Sequence, residues 1–179
     1  RTPVREAIRK LELEGFVAMV PRKGAYVADY SIKDITEVFE IRAALESLAA
    51  GLACERATEE ELERLDELAK KVWEMAQNND LENIIQIDTE FHERIYKASR
   101  NSRLIQMISN LQEQIHRFRS TSLASPGRLK DTLEEHKGLV GAIMERDIQL
   151  AQRLAVEHVE NSEAIFLESL KGTPRGKGK

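Results

Sequence analysis

Four side chains in this sequence are of types that coordinate cations, and they stand where polar groups are costly. Asp88 and His92 lie four residues apart in IDTEFHERI (87–95), His136 lies in TLEEHKGLV (132–140) and His158 in LAVEHVENS (154–162). Helical residues advance by about 100° each, so membership of an apolar stripe can be read directly. Asp88 and His92 fall mid-stripe among Ile84, Ile85, Phe91 and Ile95. His136 falls among Leu129, Leu133, Leu139, Val140 and Ile143, and His158 among Ala151, Ala155, Val159, Ile165 and Phe166. His116, the remaining histidine, lies off the Leu104–Ile108–Leu111–Ile115 face. A charge turned inward costs several kcal/mol unless it is paired or bound. Neutral imidazoles with one carboxylate suit Zn²⁺, Ni²⁺ or Mn²⁺, and an i,i+4 pair can grip one ion from a single helix. Inward histidines can equally be hydrogen-bonded core residues, and Asp88–His92 an internal ion pair. Residue pattern alone leaves both readings open.

A second polar pair interrupts EIRAALE (40–46). Arg42 and Glu46 occupy the centre of a stripe made by Ile35, Val38, Phe39, Leu45, Ala49 and Leu52. Their spacing fits an i,i+4 salt bridge inside a bundle. It also fits an arginine presenting its planar guanidinium to a carboxylate ligand, with Glu46 beside it. Gln114 sits at the edge of its own stripe and is a further candidate for lining such a cavity.

The elements that must position these groups are helices. The spacing predicts six, over about 33–54, 58–78, 81–99, 101–120, 128–146 and 148–170. Thr58 with a glutamate three residues on reads as a capping box, and Ser125-Pro126-Gly127 as a turn. Six amphipathic helices of this length make an all-α antiparallel bundle the expected architecture. Residues 1–29 have another texture. Thr2 and Pro3 open a short helix that Gly15 should close, and two β-type runs then flank Pro21-Arg22-Lys23-Gly24. A helix and a hairpin bury too little to fold alone, so 1–29 reads as part of a larger module. The expected organisation is therefore 1–29, a helical domain over 30–170, and a disordered basic tail over 171–179.

Composition narrows the function classes. The chain has 179 residues, 41% apolar and 32% charged, with net charge −4. No apolar run approaches the roughly 18 residues of a membrane span, and the opening residues do not read as a signal peptide. One cysteine, Cys54, permits no internal disulfide and fits a cytoplasmic protein. Acidic residues dominate the middle of the chain, while the first 30 residues and the tail are net basic. Nucleic-acid contact is therefore expected from the ends.

RTPVREAIRKLELEGFV followed by PRKGAYVAD resembles the recognition helix and wing of GntR-family transcription regulators. The remainder, with EIRAALE, DTEFH, EEH and EH in order, resembles the FCD effector domain of the FadR-type branch. That resemblance implies a partial winged helix-turn-helix ahead of the bundle. It implies one divalent metal, zinc before nickel or manganese, on Asp88, His92, His136 and His158. Arg42 would help bind the carboxylate of a small organic-acid effector filling the metal's open positions. Arg1, Thr2 and Arg5 would contact operator DNA, with Arg22, Lys23 and Gly24 at the wing tip. The implied protein is a homodimeric, ligand-responsive regulator of a palindromic operator. Winged helices of this family carry further helices before the recognition helix, so the chain from Arg1 is expected to bind DNA weakly or not at all. The rival reading is a metal-dependent hydrolase or lyase, in which the ion would activate water.

Overall fold

The computed structural model describes residues 2–13, 17–27, 31–76 and 80–172. Arg1, Gly15 and Phe16 lie outside these, as does the tail from 173. The chain divides into two compact units, Arg1–Ile35 and Thr36–Lys179.

In the first unit, α1 (Thr2–Leu13) precedes an antiparallel hairpin of β1 (Val17–Val20) and β2 (Gly24–Val27), paired Val17↔Val27 through Val20↔Gly24. Lys23 N donates to Val20 O at 3.0 Å, and Arg22 between them has φ 66°. Proline second and a left-handed residue third is the pattern of a type II turn. It leaves Arg22 and Lys23 exposed at the tip, with Gly24 at φ 106°. The helix and wing expected here are thus both present, with α1 starting one residue before Pro3.

Seven helices follow: α2 (Ile32–Arg56), α3 (Glu59–Ala76), α4 (Leu81–Ala98), α5 (Ser102–Asn110), α6 (Gln112–Leu123), α7 (Arg128–Met144) and α8 (Ile148–Gly172). The expected helix over 101–120 is two, which corrects the count of six. At Leu111 the backbone takes φ −100°, ψ 1°, and its N–H bonds back only three residues, to Ile108 O at 2.9 Å. Helix α8 also runs two residues into the expected tail.

Local chemistry sets the ends of these helices. Thr58 and Glu61 form the reciprocal capping box, Thr58 N donating to Glu61 Oε2 at 3.0 Å and Glu61 N to Thr58 Oγ1 at 3.3 Å. Asp80 and Asn101 cap α4 and α5. Arg146, left-handed at φ 59° in the α7–α8 turn, donates to the carbonyls of Cys54 and Ala57, both at 2.9 Å. It thereby satisfies acceptors left open at the end of α2. The core joins Ala49, Ala50 and Ala53 of α2 with Leu65, Leu68 and Val72 of α3, Ile84, Phe91 and Ile95 of α4, and Ile143 of α7. Helix α3 packs on α4 and α7, and α8 on α6 and α7. Three of these helices, α4, α7 and α8, carry the inward histidines.

Candidate metal centre

His92, His136 and His158 are all buried, and one ring nitrogen from each lies within 4.8 Å of the others. Stripe membership on three separate helices has therefore become convergence at a point. Asp88 joins them: its Oδ1 is 3.6 Å from His136 Nε2 and its Oδ2 is 3.9 Å from His92 Nε2. His136 stacks on Phe91 with ring centroids 4.1 Å apart, which fixes its plane.

Two carboxylates aim two of the rings. His92 Nδ1 lies 3.2 Å from Glu46 Oε2, and Arg42 Nε holds Glu46 Oε1 at 2.6 Å. His158 Nδ1 lies 2.7 Å from Glu135 Oε2, and Arg128 grips Glu135 with both terminal nitrogens, at 2.6 and 2.7 Å. A carboxylate on Nδ1 fixes the tautomer and leaves Nε2 as the electron-pair donor. Arg42 and Glu46 thus form the salt bridge that their spacing allowed. Arg42 nevertheless keeps its Nη1 without a partner.

Electrostatics hold the groups in the protonation states that ligands need. Burial, with the charge of Arg119 adding, depresses His92 to about 4, so the ring is neutral at neutral pH. Burial likewise puts His136 well below the usual imidazole value. Burial, the largest single influence, would raise the Asp88 carboxyl, but Arg119 together with His136, His92 and His158 brings it below its usual value. At Glu46 burial is likewise the largest influence, and Arg42, His92 and Arg119 together overcome it and hold the carboxyl well below its usual value.

A hydrogen-bonded core would pair these atoms, and it does not. Asp88 Oδ2 has an ion-pair contact at 2.8 Å with Arg119 Nε, but Asp88 Oδ1, Nε2 of His92 and both nitrogens of His136 are buried without a hydrogen-bond partner. Each such group costs about 1–3 kcal/mol if left so. The donor set of nitrogens plus a carboxylate oxygen fits a divalent ion of the zinc, nickel or manganese kind.

A cavity of about 10 Å³, the room of roughly one water or ion, adjoins these atoms, lined by Arg42, Asp88, Arg119, Arg128, Thr132 and His158 among others. Arg42 Nη1, Arg128 Nε, Ser122 Oγ and Thr132 Oγ1 are buried there without partners. Gln114 is half-buried on α6 and does not line it. Arg119, five residues on, does: its Nε is 2.8 Å from Asp88 Oδ2. Arg119, Arg128 and Glu135 are the polar residues that sequence reasoning passed over. Arg119 was findable, being i+4 from Ile115 on the apolar row. Glu135 was not, because its partner His158 is on another helix. His116 is exposed, as expected. In the other unit Arg5, Arg22 and Lys23 are exposed, and Thr2 opens α1.

Residues 37–161 match the FCD domain. The chain belongs to the FCD-domain family. It is 30% identical over 160 residues to the HTH-type transcriptional regulator YdhC of Bacillus subtilis (strain 168), covering 88% of this chain and 71% of that protein. The solved structure of E. coli McbR/YncC superposes with a TM-score of 0.80 at 27% identity, covering 93% of this chain and 84% of that one. A structure described as a metal-free FCD domain shares the fold, with TM-score 0.68, 22% identity, and coverage of 82% and 100%. The FCD chain is accordingly a transcriptional regulator of the GntR type. The hydrolase alternative gains no support from these relatives. The site argues the same way, since Glu46, the carboxylate eligible as a base, is held by Arg42.

Proposed function

We propose that the bundle binds one divalent metal ion, zinc before nickel or manganese, through Asp88, His92, His136 and His158. A small organic acid then docks against it, and its binding modulates operator affinity. The observation that carries this is the set of buried, unpartnered donors and acceptors converging on one small polar cavity. When bound, the ion offers coordination positions beyond those filled by the protein, suited to a bidentate hydroxy- or keto-acid. Arg42 holds the acid's carboxylate through its free Nη1, while Glu46 fixes both that guanidinium and His92. Arg128, Ser122 and Thr132 supply further donors, whereas Gln114 has the weakest case of the original set. Residues 1–29 serve as the DNA-binding head of a cytoplasmic homodimer. In it Arg1, Thr2 and Arg5 face the operator, and Arg22, Lys23 and Gly24 form the wing tip. Ligand binding shifts the population between DNA-competent and incompetent dimers.

Elemental analysis of protein purified without chelator tests the first half. About one equivalent of metal, absent from a His92→Ala/His136→Ala variant that still folds, is the expected result. Absence of metal from both, and failure to take it up on dialysis, sinks the proposal. For the second half, hydroxy-acids should raise the melting temperature of metal-loaded protein, and Arg42→Met should remove most of the shift.

A further inference from the structure

A second cleft lies on the outer side of Arg119, between α4, α5 and α6. Its volume is about 210 Å³, which admits a small ligand rather than a drug-sized one. Three isoleucines, Ile105, Ile108 and Ile115, form apolar walls, with Tyr96 and Arg119 beside them. The break at Leu111 lets α5 and α6 supply different walls of the one cleft.

Arg119 sits at the boundary of both spaces, lining the cleft and the inner cavity. Its Nε faces Asp88 at 2.8 Å and its Nη1 donates to Thr89 Oγ1 at 3.2 Å. Its Nη2 and the Tyr96 hydroxyl are buried beside each other, the hydroxyl also facing Glu46, and neither meets a partner in full hydrogen-bond geometry. Burial pushes the Tyr96 phenol well above its usual range, so it remains a donor. The other charged groups lining the cleft, Glu93 and Lys97, pair with each other at 3.2 Å, and His116 is exposed. Arg119 therefore sets the sign of the ligand this cleft takes.

We infer that the cleft between α4, α5 and α6 is a second ligand site, for a monocarboxylate with an apolar body. The acid group accepts from Arg119 Nη2 and the Tyr96 hydroxyl, and the hydrocarbon lies against the three isoleucines. The inner cavity is polar and much smaller, so the two sites select different molecules. This inference does not depend on metal binding, and its test is run in chelator to keep the two apart.

The probe is 4-phenylbutyrate, titrated by calorimetry and by amide chemical shifts into the full chain in EDTA, with neutral 4-phenylbutanol as control. The acid should bind at least about tenfold tighter than the alcohol, as loss of one charged hydrogen bond implies. Shifts should centre on α5 and α6. Ser109, exposed on the rim, offers a substitution that spares the fold. Ser109→Trp should fill the cleft and weaken the acid at least tenfold, with metal uptake unchanged. Arg119→Met should abolish the preference for acid over alcohol. Binding that appears only after metal is restored places the acid in the inner cavity and overturns the inference. Equal binding of acid and alcohol, or an unaffected Ser109→Trp variant, does so too.

Discussion

Replacing Glu135 with glutamine tests whether the carboxylate behind His158 does what its geometry implies. Glu135 accepts from His158, from both terminal nitrogens of Arg128 and from Asn161, the last at 2.8 Å. Burial opposes its ionised form, but His158 and then Arg128 overcome that and bring it to about 2. Against an ordinary value of 4.5, this difference corresponds to about 3 kcal/mol of folding stability. The carboxylate is partly exposed, and solvent screening trims the figure to about 2 kcal/mol. A second route gives a similar size: Arg128 is buried, and a buried charge stripped of its partner costs about 3–5 kcal/mol, less what the amide oxygen restores. The depressed value also fixes the pH window. The contribution is complete above pH 4.5 and is lost as pH falls toward 2, with about 1 kcal/mol gone by pH 4. Urea denaturation of metal-free protein at pH 7 and pH 4 should therefore show a penalty for Glu135→Gln that shrinks in acid. Metal affinity should fall about 10–100-fold, as loss of an orienting partner usually brings. A penalty below about 0.5 kcal/mol, or one equal at both pH values, refutes the reasoning.

Three other perturbations have calculable outcomes. Gly127, at φ 82° with open space around its Cα, should lose about 1 kcal/mol on Gly127→Ala from backbone strain alone, measured by urea denaturation. Arg146→Met leaves the Cys54 and Ala57 carbonyls unserved and should cost about 1–3 kcal/mol, with faster amide exchange at the end of α2. Burial pushes the Cys54 thiol up to about 11, so its reaction with a disulfide reagent at pH 8 should be roughly a hundredfold slower than in urea. Equal rates would place Cys54 outside the core.

Most of the centre was legible because helical period carries it. Asp88 and His92 share one stripe, His136 and His158 occupy two others, and burying those stripes brings the rings together. Pro21-Arg22-Lys23-Gly24 announced its turn because proline and glycine restrict or free the backbone in known ways. What escaped depends on packing between helices. Nothing in α7 alone says that Glu135 meets a histidine on α8, and nothing in α4 says that Asp88 faces Arg119. The break at Leu111 was hidden for another reason. Leu111 is apolar and stays on the stripe, so the periodic pattern runs across the break undisturbed.

Three guanidinium groups, of Arg42, Arg119 and Arg128, are balanced around the chamber by three carboxylates, of Glu46, Asp88 and Glu135. With neutral imidazoles their formal charges cancel. A divalent ion entering such an interior by itself brings a surplus of two that the low-dielectric surroundings resist. An organic anion arriving with it offsets part of that surplus, so each raises the affinity of the other by the same factor. If the ion and the acid bind as proposed, the regulator would respond to the product of two concentrations, and scarcity of either would give the same reading at the operator.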